Sequence, residues 1–162
     1  HYATYLKRQI QVEAEEKVPE GKMAKLLYDM YQPDCAKYAE ESDVPQIYEL
    51  LLENFDLQAD HIPSEDDLLQ IVKEKEVMIY KIGDKIECFF IYRREGKKLY
   101  CAFSYNHASA DILYSIERRV KEIEYEENGI KMHYAWFNAE NKKALRRNAW
   151  KDTKIRDYIF VK

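Results

Sequence analysis

The sequence predicts an α/β (α+β) fold: a mixed central sheet flanked by helices. Three observations carry this. From residue 34 onward, strand-like runs and helical stripes alternate. In the middle, "VMIYKI", "KIECFFIYRR" and "KKLYCAFSY" follow one another across the turns "GD" and "EG". The last of these leads through a long amphipathic stretch into "IKMHYAWF". Hairpin-length turns make antiparallel neighbours, whereas a strand–helix–strand crossover makes parallel ones, so the sheet must be mixed.

Residues 1–33 read as an N-terminal appendage and 34–162 as the main domain. In the appendage, "YATYL" and "IQV" are strand-like and "EEKVPEGK" is a polar break. "KMAKLLYDMY" puts Met23, Leu26, Leu27 and Met30 on one helical face, and Pro33 ends it. The main domain starts with the short strand "CAKYAE". "SDVPQIYELLLENF" follows as a helix with Val44, Ile47, Tyr48 and Leu51 on its apolar stripe and Ser42 or Asp43 as cap. The second helix, "SEDDLLQIVKEKE", has Ser64 as cap, acids in its first turn and lysines at its end, which suits the helix dipole. After the three-strand meander, Ile112, Ile116, Val120 and Ile123 recur at helical spacing until Asn128-Gly129 stops the helix. A strand at 130–137, a polar helix "NAENKKALRRNAW" capped by Asn138 and a closing strand "TKIRDYIFVK" complete the order. From residue 34 it runs strand, two helices, three strands, helix, strand, helix, strand.

The 162 residues carry a net charge of -4, which disfavours nucleic acid as a partner. No apolar run approaches the roughly 18–20 residues of a membrane span. Cys35, Cys88 and Cys101 are odd in number and widely spaced, against a disulfide framework or a zinc site; they read as buried or half-buried thiols of a cytoplasmic protein that needs no metal.

The stretches "DVPQIYELLLENFD", "IPSEDDLLQIVKEKEVMIYKIGDKIECFFIYRR", "NAENKKAL" and "RDYIFVK", in that order, resemble bacterial-type members of the GNAT superfamily of acyl-CoA-dependent N-acyltransferases over roughly residues 34–162. The resemblance implies transfer of an acyl group from acetyl-CoA or another acyl-CoA to a small-molecule or peptide amine. It places the CoA pyrophosphate on the loop that opens the long helix. The pantetheine arm then lies between splayed parallel strands around Leu99–Tyr105 and Met132–Phe137. Phe103, Tyr105, Ala108, Ala110 and Asn141 are the residues it assigns to CoA.

The family loop reads Arg/Gln-x-x-Gly-x-Gly/Ala, and here the aligned residues are "YNHASA". Tyr105 stands at the arginine place, and Ala108 and Ala110 at the glycine places. Glycine admits left-handed backbone and close approach of a phosphate, and alanine does not do so freely. Asp111 adds a negative charge to the first helical turn. Near the C-terminus, Asn148 or Ala149 stands where family enzymes place a proton-donating tyrosine, with Tyr158 as the substitute to consider. These departures imply a degenerate or weakly active transferase; the alternative is a non-catalytic ligand- or protein-binding module on the same scaffold, with a further domain or a homodimer left open.

The remaining candidates have plainer readings beside their functional ones. His107 is a base or phosphate contact, or a solvent-facing loop residue. His61 borders the acceptor side of the family, or belongs to an ordinary loop. Glu53, Asp56 and Asp60 supply a base for the amine, or a solvated helix end. Cys101 with His107 suggests a nucleophile and base lacking a third member. Lys142, Lys143, Arg146 and Arg147 grip phosphates, or form a solvated face. His133 reads as a satisfied sheet residue, and Trp136, Phe137 and Trp150 as core aromatics.

Overall fold

The computed structural model describes residues 4–11, 21–57, 60–138, 151–158 and 160. A seven-stranded mixed sheet runs through it. In chain order the elements are β1 (Thr4–Gln11), α1 (Lys22–Asp29), β2 (Lys37–Tyr38), a 3-10 turn (Glu41–Asp43), α2 (Val44–Asn54), α3 (Glu65–Lys73), β3 (Val77–Ile82), β4 (Lys85–Glu95), β5 (Lys98–Asn106), α4 (Ala110–Asn128), β6 (Met132–Asn138) and β7 (Lys151–Tyr158). Across the sheet the order is β2-β3-β4-β5-β6-β1-β7. The expected polar helix after β6 lies outside the described residues.

The local signals act as their chemistry requires. Gly83 and Gly96 take φ of 61° in the turns that join β3 to β4 and β4 to β5, both antiparallel pairs. The Ser64 hydroxyl caps α3 by accepting from Asp67 N–H at 3.1 Å. Asp43 works differently from a simple cap: its carboxylate accepts from Glu40 N–H at 2.8 Å and pairs with Lys81, closing the 3-10 turn before α2. Gly129 ends α4 in the left-handed conformation. The crossover through α4 makes β5 and β6 parallel, as expected.

The two short strand-like pieces at the N-terminus form one strand. β1 lies between β6 and β7, antiparallel to both, so residues from the first part of the chain occupy an interior place in the sheet. The segment after α1 is also tied in, against α4. Tyr31 donates its hydroxyl to Glu122 at 2.7 Å, Gln32 N–H donates to Ser115 Oγ at 3.0 Å, and the Gln32 amide donates to Asp111 at 3.1 Å. Arg118 stacks over the rings of Tyr28 and Tyr31. Met23 and Leu26 of α1 and Met30 at its C-cap stay exposed.

Two apolar cores sandwich the sheet. On one face Ile47, Leu51, Leu68 and Ile71 of α2 and α3 pack on Ile79, Phe89 and Ile91. On the other, Ile112, Ile116, Val120 and Ile123 of α4 pack on Cys88, Phe90, Tyr92 and Leu99. β5 changes its allegiance between these faces. Its register with β4 steps from Ile91↔Phe103 to Tyr92↔Cys101, leaving Ala102 as the extra residue of a bulge. Leu99 and Cys101 therefore belong to the α4 face, while Ala102, Phe103 and Tyr105 belong to the α2/α3 face.

Candidate functional site

β5 and β6 run side by side for only three pairs, Lys98↔Met132, Leu99↔His133 and Tyr100↔Tyr134. Both strands continue beyond that point. β6 goes on paired to β1 alone and β5 to β4 alone. The edge of β5 from Cys101 to Asn106 thus has no strand partner on its β6 side among the described residues. Six extended residues make an edge of about 20 Å. Backbone N–H and C=O groups in such a gap need partners from elsewhere. Ala102, at the bulge, stands outside both ladders.

At the wide end of the gap lies the loop from Asn106 to Ser109, which has to turn without glycine. Among the described residues, only Lys75 and Lys154 have positive φ outside glycine, so the loop turns without any left-handed residue. Asn106 holds the turn instead. Its side-chain oxygen accepts from Ala108 N–H at 3.0 Å and its amide donates to Ser109 C=O at 3.2 Å. His107 is held by β4, its N–H donating to Glu87 C=O at 2.7 Å and its ring bonded to the Glu87 carboxylate at 2.9 Å. That hydrogen bond holds Glu87 below the usual carboxylate range.

Ser109 stands at the N-cap of α4, yet its side chain makes no cap bond. The first turn of this 19-residue helix is closed by backbone instead, Ile112 N–H donating to Ser109 C=O at 3.2 Å, in contrast with the side-chain cap of α3. Asp111 is buried and turned toward Gln32 of the segment after α1.

The residues assigned to CoA by resemblance fall in different places. Ala108 packs toward the α4 core and Ala110 is exposed as the first residue of α4. Phe103 meets Phe55 edge-on, centroids 5.0 Å apart. Tyr105 stacks on Phe89 at 5.4 Å and so packs on the α2/α3 face. Asn141 lies outside the described residues, as do Lys142, Lys143, Arg146, Arg147, Asn148, Ala149 and Trp150. The backbone at Tyr158, on β7, stands three strand positions from β5.

The narrow end of the gap is walled by aromatics and acids on the α2/α3 face. Tyr100 and Tyr134 stack across the last rung, centroids 5.2 Å apart, and the Tyr134 hydroxyl donates to the Glu95 carboxylate. The loop after α2 is folded on its own acids: Asp60 N–H donates to Asp56 C=O at 2.7 Å, and Asp56 N–H donates to the Asp60 carboxylate at 2.8 Å. Burial raises the Tyr100 phenol, with smaller contributions from Cys101, Glu95 and Asp60. His61 and Glu53 of the same region are exposed.

Cys101 does not meet His107 in a dyad. Its surroundings on the α4 face, burial first and Glu117 second, raise its thiol far above the ordinary value. Burial likewise pushes Cys88 up to about 12 and raises Cys35. None of the three is a thiolate at neutral pH. His133 departs from the expectation of a satisfied sheet residue: it is buried, but Nε2 finds no hydrogen-bond partner among the described residues, and burial lowers its pKa to about 3. Sequence periodicity marks such a residue as inward-facing and says nothing about its partner.

No group of three or more metal-binding side chains occurs among the described residues, and no helix there is long and apolar enough to cross a membrane.

No family model and no curated protein matches the chain. Solved structures do. A GCN5-related N-acetyltransferase from Sphaerobacter thermophilus superposes with a TM-score of 0.63 at 14% identity, over 97% of this chain and 50% of that one. One from Kribbella flavida gives 0.53 at 11% identity, over 98% and 37%. A possible acetyltransferase from Clostridium difficile gives 0.54 at 18% identity, over 78% and 97%. The chain thus spans half or less of the first two structures and nearly all of the third. At these identities the likeness is one of fold.

Proposed function

We propose that this chain, which has the fold of the GCN5-related N-acetyltransferases, is an acyltransferase domain that moves an acyl group from acyl-CoA to a primary amine. The observation that carries the reading is the three-rung β5–β6 ladder, open above Tyr100 and Tyr134. A bound acyl-CoA supplies the thioester carbonyl that the amine attacks directly.

The chain's own groups suit that substrate. The free edge of β5 from Cys101 to Asn106 offers backbone donors and acceptors to an extended, amide-containing arm, as a sheet edge does for an added strand. The α4 N-terminus beyond it offers N–H groups and positive potential to a diphosphate. The loop's own His107 and Ala108 amides are taken by Glu87 and Asn106, so the anion would be held by the helix amides, and Asp111 turns its carboxylate away to Gln32. The bulged Ala102, outside both ladders, is the position from which a backbone N–H would stabilise the developing oxyanion. Phe55, at the end of α2, meets Phe103 of β5, which brings the following loop with Asp56 and Asp60 to this side of the sheet, and a carboxylate of that loop is the base this reading assigns to the incoming amine.

Calorimetric titration with CoA and acetyl-CoA, followed by detection of released thiol in the presence of primary amines, tests the reading. Binding and thiol release are expected; no binding at millimolar CoA removes it.

A further inference from the structure

The α4 face of the β5–β6 seam holds a polar group that the proposed chemistry leaves unused. His133 shares a rung with Leu99, one below the last rung of the ladder. Rung neighbours share a face, and Leu99 belongs to the α4 core, so the imidazole lies on that face. The residue is 2% exposed, and its Nε2 makes no hydrogen bond among the described residues. A buried polar nitrogen left unpaired is costly and asks for a partner. Burial, with the charge of Lys121 on α4 adding to it, lowers the imidazole to about 3 and keeps it neutral at pH 7. The backbone of His133 belongs to the closed ladder, but its side chain stands next to the opening. The next residues on the same face are Cys101 of β5 and Ala135 of β6, both beyond the last rung. Both are small, and Ala135 is buried without joining either apolar core.

We propose that His133 selects the acyl group of the donor: a short acyl chain bearing a hydroxyl, which passes between Cys101 and Ala135 and bonds to Nε2. The inference rests on the acyl-transfer reading and narrows its donor. With the diphosphate at α4 and the thioester carbonyl at the Ala102 N–H, the acyl group is the part of the donor that continues toward the apex. The rung of Leu99 and His133 lies below Ala102 by about 10 Å of strand, a distance that the acyl chain and the imidazole share. A hydroxyl both donates and accepts, so it suits either tautomer of the ring. A plain alkyl chain would fill the space and leave Nε2 unpaired. A carboxylate would find no charge on a neutral imidazole.

Calorimetric titration of the full chain compares 3-hydroxybutyryl-CoA with butyryl-CoA, succinyl-CoA and CoA. The hydroxylated donor is expected to bind about five- to tenfold more tightly than butyryl-CoA, and more tightly than succinyl-CoA. His133→Leu, its folding checked by a melting curve, should bring the hydroxylated and plain donors within about twofold of each other. His133→Gln keeps a hydrogen-bonding group and should keep the hydroxylated donor ahead. In nitrogen NMR spectra of the unaltered chain, the Nε2 resonance of His133 should move with 3-hydroxybutyryl-CoA well beyond its response to butyryl-CoA. Equal affinity for these two donors, a preference that survives His133→Leu, tighter binding of succinyl-CoA, or an Nε2 resonance indifferent to the hydroxyl, as a fixed water would leave it, overturns the inference. Any of these with CoA itself bound leaves the transfer reading standing, whereas no binding of any CoA species removes both.

Discussion

The two ends of the β5–β6 pair differ in what becomes of their polar groups. At the closed end, around Leu99, charges are matched inside the molecule. Arg94, opposite Leu99, donates twice at 2.7 Å to the fully buried Glu124, and also to the carbonyls of Glu74 and Lys75. Glu76, buried beneath, accepts from Arg94 N–H at 2.6 Å and is raised above the usual carboxylate range by its burial. At the open end, from Cys101 to the start of α4, the backbone of β5 is paired by strands on one side only among the described residues and the N-cap serine's side chain makes no cap bond. Below Tyr100 the two strands serve stability; above it, in the proposed transferase, they serve the ligand.

Substitutions at the closed end should break the fold hardest. Arg94→Met strands Glu124 without its partner and should cost about 3–5 kcal/mol in urea unfolding. Leu99→Ala, at a fully buried position, should cost about 2–4 kcal/mol. Ser104→Ala, exposed on the open half of the same strand, should stay within about 0.5 kcal/mol. Similar costs at both positions would erase the contrast between the ends.

His133 gives a pH signature for the closed end. An unfolded histidine titrates near 6.5, whereas burial holds this one to about 3. Between those values the unfolded chain binds the extra proton, so stability falls as pH falls, by up to about 1.4 kcal/mol per pH unit. His133→Leu should remove that part of the slope, seen by comparing unfolding free energies of the two chains from pH 7 to pH 4. Identical slopes would mean that the imidazole is not buried as described.

Ser109→Asp sharpens the comparison from the other side. A carboxylate at the N-cap of α4 should accept from the first-turn amides and raise stability by about 0.5–1 kcal/mol. The same charge should weaken CoA about tenfold, because the amides would be occupied and the potential reversed. A more stable protein that binds CoA as before would take α4 out of the site.

Much of the frame was legible because its signals are local. "GD" and "EG" contain the glycines that turn the meander, Ser64 caps α3, and Gly129 ends α4. The parallel crossover follows from handed geometry once strand, helix and strand are seen. The place of β1 was not legible, since its register is set by residues of β6 and β7 more than a hundred positions away. Nor was the side taken by Tyr105. Strict alternation carries a reading along β5 correctly to Ala102, and the bulge there reverses every side chain from Phe103 on. That reversal stacks Tyr105 on Phe89 and brings Phe103 beside Phe55. The loop's lack of glycine was legible, but Asn106 as its substitute depends on hydrogen bonds that composition does not reveal.

Everything proposed for the open end turns on the β5 backbone itself, and amide hydrogen exchange across Cys101–Asn106, with and without CoA, tests it most directly. The amides of this stretch that face β6 should exchange quickly in the free protein and become protected when CoA is added, while those of Leu99 and Tyr100 stay slow throughout. CoA binding that leaves the exchange of Cys101–Asn106 unchanged would contradict a ligand-binding role for this edge.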